Sequence, residues 1–153
     1  KSLKEKEISE FLAIQKSEQL SKTLKSDEIL ITADTIVVKD DRVLNKPKDK
    51  LEAKEMLEFL SGDGHSVITS VCLRNKQEQA IFSSTTKVFF KSLSAAEIDF
   101  YVKEYKPFDK AGAYGIQEWI GLVGIEKIEG SYFNVVGLPV VKLYQKLIQF
   151  VAL

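Results

Sequence analysis

An almost uncharged run of β-branched residues constrains the fold of this chain most strongly. Residues 29–38 read Ile-Leu-Ile-Thr-Ala-Asp-Thr-Ile-Val-Val, which is typical of a strand buried on both faces of a sheet. Asp34 interrupts the run, and an ionised carboxylate there is costly unless a cation, a metal or several hydrogen-bond donors meet it. The alternative is a strand-end aspartate bonded only to backbone or water.

Further β-rich runs predict additional strands around this one. Residues 65–73 and 80–90 predict two strands that pair antiparallel across a polar hairpin loop at 74–78. Residues 122–128 predict another strand, and residues 130–136 a loop. The sequence therefore predicts a sheet of several strands.

Four segments predict helices. The first, from residue 5 to about residue 24, is expected to be amphipathic, with an apolar face made of Ile8, Phe11, Leu12 and Leu20. Asp-x-x-Glu at 49–52 and Ser-x-x-Glu at 94–97 are capping patterns that predict two further helix starts. Pro139 begins the last helix. Helices and strands together predict the mixed α/β class, in a single domain over residues 1–153.

Composition limits the size of the core and the partners. With 44% hydrophobic residues, the chain can bury one core or form two thin lobes that share a cleft. Acidic and basic residues balance at 22 each, which argues against nucleic-acid binding. The single cysteine, Cys72, is expected to be a small buried side chain rather than part of a disulfide or metal site. Without a membrane-length apolar run or a signal-peptide core, we expect a soluble, cytoplasmic protein with no membrane partner.

Two lysines are candidates for neutralising anionic charge. Lys46 precedes Pro47 in a short connection after the Asp34 strand, so its ammonium could be directed back at the strand, although a loop lysine is usually only solvated. Lys16 falls near the apolar side of the first helix, where the alternative is an aliphatic stem that covers the edge of the core.

A glycine-rich segment at 109–117 offers a second group of candidates. Its two glycines at 112 and 115 allow tight turns and close approach of a ligand to the backbone. Asp109 and Lys110 open the segment, and Gln117 closes it with an amide that can donate and accept hydrogen bonds, as reading a nucleobase edge requires. His65 has no metal-ligand spacing to other residues and is expected to be structural, at most helping to shape the loop.

Five segments in this order resemble the Maf family of nucleoside triphosphate pyrophosphatases, which is related in fold to inosine triphosphate pyrophosphatases. They are Ala-Asp-Thr at 33–35, Asn-Lys-Pro at 45–47, Leu-Ser-Gly-Asp-Gly-His-Ser-Val-Ile-Thr at 60–69, Asp-Lys-Ala-Gly-Ala-Tyr-Gly-Ile-Gln at 109–117 and Gly-Ser-Tyr-Phe-Asn-Val-Val-Gly-Leu-Pro at 130–139. The resemblance covers most of the chain. It implies an elongated central mixed sheet flanked by helices, with two lobes and a cleft between them.

The resemblance also implies roles for individual residues. Asp34 would be the catalytic proton acceptor, close to or bound to a divalent cation, Mg²⁺ or Mn²⁺. Lys46 and Lys16 would neutralise the triphosphate. Thr35 and Gln117 match positions tied to base selection in the family branch that acts on thymidine and uridine triphosphates. Asp109 and Lys110 are expected beside them at the substrate.

The implied reaction releases pyrophosphate and a nucleoside monophosphate from dTTP or UTP, and from modified pyrimidine nucleotides. A homodimer is implied as well. The family's Ser-x-Ser-Pro-Arg-Arg loop, which lies between its first strand and first helix, has no match in this sequence. We therefore expect a truncated chain, or a numbering that omits residues, and an inactive remnant is a further alternative. A non-catalytic regulator of septum formation that acts through a protein partner is the rival function.

Overall fold

The computed structural model describes residues 2–152, with side chains from residue 5 onward. The helices are α1 (Ser2–Leu20), α2 (Lys50–Leu60), α3 (Ala95–Tyr105), α4 (Trp119–Gly124), α5 (Tyr132–Val136) and α6 (Val140–Val151), with short 3₁₀ turns at Ser21–Thr23 and Ala111–Ala113. The strands are β1 (Leu30–Lys39), β2 (Arg42–Leu44), β3 (Gly64–Arg74), β4 (Gln79–Phe90) and β5 (Ile125–Glu129). The mixed α/β class is confirmed.

The strands form a five-stranded sheet in the order β2-β1-β3-β4-β5. Every pairing among them is antiparallel, whereas a mixed sheet was expected. Tight hairpins explain two of these pairings. Asp40 and Asp41 take positive φ angles of 49° and 62° between β1 and β2, as primed hairpin turns require. Asn75 donates its N–H to the Glu78 carbonyl at 3.0 Å and closes the predicted β3–β4 loop.

Helix α1 packs on the sheet through small residues, and the predicted apolar face was wrong. Ser9, Ala13 and Ser17 are fully buried, whereas Phe11 and Leu20 are 62% and 56% exposed. Hydroxyl groups join the helix to the sheet: Thr32 donates to the Ala13 carbonyl, and a hydrogen bond links the Ser9 and Ser70 hydroxyls. Short side chains let the helix backbone approach the strands closely. The residues of α1 that contact the sheet are therefore small rather than strongly hydrophobic.

Two hydrophobic cores lie side by side on the opposite face of the sheet. The larger joins Val37 and Val67 of the sheet to α2, α3 and the 3₁₀ turn, and the smaller joins Val71 and Phe82 to α6. Both cores lie on one face because side chains alternate between the two faces along each strand, and Val67 and Val71 of β3 are four positions apart. Val37 of β1 lies opposite Val67, and Phe82 of β4 lies opposite Val71. Cys72 is buried, as predicted.

The two predicted capping patterns are confirmed. The carboxylate of Asp49 accepts the Glu52 N–H at the start of α2. Ser94 and Glu97 form a reciprocal capping box at the start of α3. Helix α6 begins directly after Pro139. Such caps are local in sequence, because each needs only residues that are three positions apart.

The segment between α3 and α6 differs from the prediction in two places. Residues 122–124 belong to α4 rather than to the predicted strand, which starts at Ile125. The predicted loop at 130–136 contains α5, where the Ser131 hydroxyl accepts the Asn134 N–H as an N-cap. Short apolar runs do not distinguish a helix from a strand by spacing alone. None of the helices in the described part of the chain is long and apolar enough to cross a membrane.

Candidate functional site

A cleft of about 280 Å³ opens beside the middle of β1, with an apolar lining that comes mainly from the larger core. All the side chains that the sequence singled out for catalysis or binding line it, namely Lys16, Asp34, Thr35, Lys46, Asp109, Lys110 and Gln117. The expected cleft is therefore present, and the division into two lobes stays a prediction. Their catalytic and binding roles stay predictions.

Asp34 receives the compensating charge that its position in the strand requires. Its side chain is 18% exposed, and Oδ1 accepts a 2.6 Å hydrogen bond from Lys16 Nζ. The same ammonium donates to the Ala33 carbonyl at 3.0 Å. Lys16 therefore does more than cover the core edge with its stem. Because the lysine is half exposed, we expect the pair to add no more than about 1 kcal/mol to stability.

The two other lysines of the cleft differ in how their charge is offset. Lys110 Nζ lies 3.0 Å from Asp109 Oδ1 and 3.2 Å from Glu118 Oε1. Burial opposes its charge, but the hydrogen bonds to these two carboxylates outweigh burial and raise its pKa. Lys46 is exposed, and within the described residues it has no ion-pair partner. Lys46 is therefore the cation most available to an incoming anion.

The glycine-rich loop lies directly on β1. At Gly112, φ is +69°, and a Cβ there would meet the Val37 side chain at 3.0 Å. At Gly115, a Cβ would meet Lys110 Cε at 2.9 Å, so the lysine chain crosses the loop where this residue has no side chain. The hydrogen bond from Lys110 holds the pKa of Asp109 below its usual range, with a smaller contribution from the charge of Lys46.

A buried tyrosine of α3 supports the loop from below. The Tyr101 hydroxyl accepts the Gly115 N–H at 3.0 Å and donates to Glu118 Oε2 at 2.6 Å. Burial, together with the hydrogen bond to the carboxylate, raises the pKa of Tyr101 far above its usual value. The hydroxyl is therefore protonated at neutral pH, and it links Gly115, two residues before Gln117, to the carboxylate that binds Lys110.

A second buried pair lies under the same loop. His65 Nε2 and the Tyr114 hydroxyl are 2.7 Å apart, and both rings pack against Phe90. Burial, followed by the nearby charge of Lys39, lowers the pKa of His65 to about 4. The imidazole is neutral at neutral pH, and its Nδ1 has no partner within the described residues. This fits the expectation that His65 is structural and shapes the loop.

A chain of hydrogen bonds runs from Thr35 into the sheet. The Thr35 and Thr69 hydroxyls are 2.9 Å apart, and Thr69 Oγ1 donates to the Asn134 carbonyl at 2.9 Å. Asn134 Nδ2 donates to the Val67 carbonyl at 3.1 Å and to Thr86 Oγ1 at 3.0 Å. Thr69 and Asn134 are fully buried. The cleft-lining Thr35 is thus fixed by side chains that do not themselves reach the cleft.

Sequence reasoning missed several of these supporting residues. Tyr101 carried no signal of this role in the sequence, and Glu118 falls one residue beyond the matched segment at 109–117. Thr69 and Asn134 do lie inside matched segments, at 60–69 and 130–139, which was the only signal available for them. Their importance depends on contacts between residues far apart in the chain, which spacing does not encode.

A metal site made entirely of protein ligands is not evident. Within the described residues, no group of three or more His, Cys, Asp or Glu side chains could hold an ion. Magnesium usually keeps several waters and is bound by one or two carboxylates together with substrate phosphates. Asp34 fits the role of such a single carboxylate ligand, so the residues present are compatible with a cation that arrives with the substrate.

Comparison with known proteins agrees with this geometry. The family model described as Maf-like protein matches residues 1–150. This chain belongs to the Maf family. The family match includes every candidate residue of the cleft, from Lys16 to Gln117. Among curated relatives, a protein of Christiangramia forsetii named dTTP/UTP pyrophosphatase is 54% identical over 95% of this chain and 74% of its own length.

Relatives from other bacteria carry the same name. The dTTP/UTP pyrophosphatase of Phocaeicola vulgatus is 51% identical over 95% of this chain and 76% of its own length. That of Bacteroides fragilis is 49% identical over 97% of this chain and 77% of its own length. Three relatives that are about half identical to this chain are therefore named for one activity.

Proposed function

We propose that this chain hydrolyses dTTP and UTP to the nucleoside monophosphate and pyrophosphate. The observation that carries the proposal is a single cleft that is lined by Asp34, by the lysines Lys16, Lys46 and Lys110, and by Gln117. Ammonium groups suit a triphosphate, and an amide suits a base edge. The names of the relatives support the same activity.

In this proposal, water adds to a phosphorus and the anhydride bond between the α- and β-phosphates breaks, so that pyrophosphate leaves. Asp34 accepts the proton of the attacking water or orients it. A divalent cation, held by Asp34 and the phosphate oxygens, would supply charge neutralisation and a more acidic bound water. Such chemistry depends mainly on positioning and electrostatics, which a fixed carboxylate provides.

The lysines divide the phosphate charge in this proposal. Lys46 makes no ion pair within the described residues and binds the polyphosphate directly. Lys16 is shared between Asp34 and the substrate, because Asp34 and the Ala33 carbonyl take two of its three N–H donors and one remains. Lys110 already contacts two carboxylates and contributes mainly by holding the loop that carries Gln117.

Base choice is assigned to Gln117 and Thr35. Gln117 is exposed and Thr35 is half-buried, so both side chains can reach a bound base. A base that covers such a polar group without pairing with it leaves the group unpaired, which penalises the wrong substrate. Pyrimidine triphosphates, including modified ones, are the proposed substrates. The homodimer and the cytoplasmic location stay predictions.

The decisive experiment replaces Asp34 by Asn and measures pyrophosphate release from dTTP and UTP. Because the amide cannot accept the proton, we expect turnover to fall by at least about 100-fold, the usual effect of a general base. Asp27→Asn is the matched control, since this exposed aspartate lies outside the cleft and should keep normal turnover. Normal turnover by Asp34→Asn, with folding verified by circular dichroism, would remove Asp34 from the mechanism.

The same variant separates catalysis from the rival role in septum formation. A purely binding role should not need the Asp34 carboxylate. If cells that carry Asp34→Asn retained a division phenotype caused by the wild-type chain, that phenotype would be independent of catalysis.

A further inference from the structure

Thr69 lies directly opposite Thr35 in the pairing of β1 with β3. Its side chain is fully buried, whereas Thr35 lines the cleft. The hydroxyl of Thr69 is 2.9 Å from two oxygens, the Thr35 hydroxyl and the Asn134 backbone carbonyl. These three oxygens form a short line from the cleft to α5.

The number of available protons fixes the direction of both hydrogen bonds. A hydroxyl has one proton to donate, and a backbone carbonyl can only accept. Thr69 therefore donates to Asn134, and the bond between the two threonines forms only if Thr35 donates to Thr69. The opposite direction would leave two oxygen lone pairs facing each other across 2.9 Å between Thr69 and Asn134.

The surroundings keep this direction from reversing. Asn134 is fully buried, and its side-chain amide is bonded to the Val67 carbonyl and the Thr86 hydroxyl. The Asn134 carbonyl is also held from its own helix end, because the Gly137 N–H donates to it at 3.1 Å. Thr69 thus donates to an acceptor fixed from both sides.

We infer that Thr69 is a positioning residue that makes the Thr35 hydroxyl a pure hydrogen-bond acceptor toward the cleft. The inference rests on the proposed function and deepens it. A ligand that meets Thr35 must offer an N–H, and the N3 position of uracil and thymine carries one. Cytosine presents a lone pair at N3, which would face the lone pairs of Thr35. Selection of uracil and thymine over cytosine therefore depends on a residue that never touches the base.

The test compares UTP and CTP as substrates of the wild type and of Thr69→Val. Valine has nearly the shape of threonine but no hydroxyl, so it frees the Thr35 proton to point into the cleft. The Asn134 carbonyl keeps the Gly137 N–H, so no buried group loses its last partner. We expect the UTP:CTP ratio of kcat/KM to fall by about tenfold, the usual range for a mispaired hydrogen bond.

Thr69→Ser is the matched control because it keeps the hydroxyl. It should retain the wild-type UTP:CTP ratio even if its melting temperature falls, which separates hydrogen-bond direction from packing. An unchanged ratio in Thr69→Val would overturn the inference. The same holds if Thr69→Ser loses the ratio as fully as Thr69→Val.

A substrate-side measurement keeps the inference testable if Thr69→Val does not fold. The wild type is given UTP with a methyl group on N3, and UTP with a methyl group on C5 as control. Loss of the N3–H should lower kcat/KM by about tenfold or more, while the C5 methyl is tolerated. Equal use of both analogues would overturn the inference but leave the proposed function intact. Failure of the wild type to hydrolyse any pyrimidine triphosphate would overturn the function as well.

Discussion

Two groups of residues at the cleft act by different means, the lysine group of Lys16 and Lys46 and the buried group of Tyr101, Thr69 and His65. In the lysine group, both side chains are half exposed or exposed; Lys16 pairs with Asp34, and Lys46 makes no ion pair within the described residues. In the buried group, Tyr101 and Thr69 are fully buried and hold Gly115 and Thr35 by hydrogen bonds. Charge acts over a distance and is screened by salt, whereas a buried hydrogen bond depends on exact placement. If the proposed function holds, substitutions in the lysine group should change catalysis, and those in the buried group should change stability and specificity.

The largest stability effect of the buried group should come from His65 in acid. An unfolded histidine binds a proton below about pH 6.5, whereas the folded pKa of His65 is about 4. Between these values the unfolded state holds more protons, so stability falls as the pH drops. The full loss is roughly 3 kcal/mol, and it is complete near pH 4. Urea unfolding at several pH values measures it.

His65→Gln separates this loss from acid titration of the carboxylates. Glutamine can keep a hydrogen bond to Tyr114 but does not titrate in this range. Its stability should fall less steeply than that of the wild type between pH 6.5 and 4. Parallel curves would show that His65 is not the cause.

Tyr101→Phe should produce the next largest effect. It leaves the Glu118 carboxylate and the Gly115 N–H without their shared partner, so we expect a loss of about 1–3 kcal/mol in the free energy of unfolding. Tyr105→Phe is the matched control, because Tyr105 stacks on Tyr101 but is 40% exposed. A similar loss in both variants would contradict the assignment of the effect to the buried hydroxyl.

Lys46→Met tests the lysine group, which should affect activity rather than stability. We expect kcat/KM for UTP to fall by about tenfold, equivalent to about 1.4 kcal/mol, with an unchanged melting temperature. Added salt should reduce the difference between variant and wild type, since exposed charges are screened. A stability loss in Lys46→Met comparable to that of Tyr101→Phe would contradict the contrast between the lysine group and the buried group.

The smallest stability effect should come from Lys16→Met. A half-exposed ion pair contributes roughly 0–1 kcal/mol, so unfolding by urea should change little. Turnover should fall nevertheless, because the ammonium beside Asp34 is removed. A large loss of stability without loss of turnover would show that the pair is structural.

The sequence predicted best what local chemistry decides. The starts of α2 and α3 follow from capping residues three positions apart, and the β3–β4 hairpin follows from its polar loop. The buried face of α1 could not be predicted, because Ser9 and Ser17 are not hydrophobic and are buried only through their partners on the sheet. Close packing of small residues depends on the shapes of both the helix and the sheet, and the sequence of the helix alone does not contain this information.

In the candidate site as well, some residues could be predicted from the sequence and others could not. Asp34 was identifiable from the sequence because its charge conflicts with its strand. Lys16, Lys46 and the polar residues of the glycine-rich segment were candidates from their residue types and positions, whereas Thr35 came from the resemblance to the Maf family. The structure brings them together in one cleft. The bond between Thr35 and Thr69 could not be predicted, because its partners are 34 residues apart and meet only through the register of β1 with β3.

The tight seat of α1 on the sheet has a mechanical consequence. Ser17 accepts a 2.7 Å hydrogen bond from Arg74 Nε, and Ala13 sits against the strands with no exposed surface. A larger residue at position 13 would lift or rotate the whole helix, and the ammonium of Lys16 would swing with it. A small increase in side-chain size at this helix–sheet contact would therefore lower activity, because it would displace the Lys16 ammonium from Asp34.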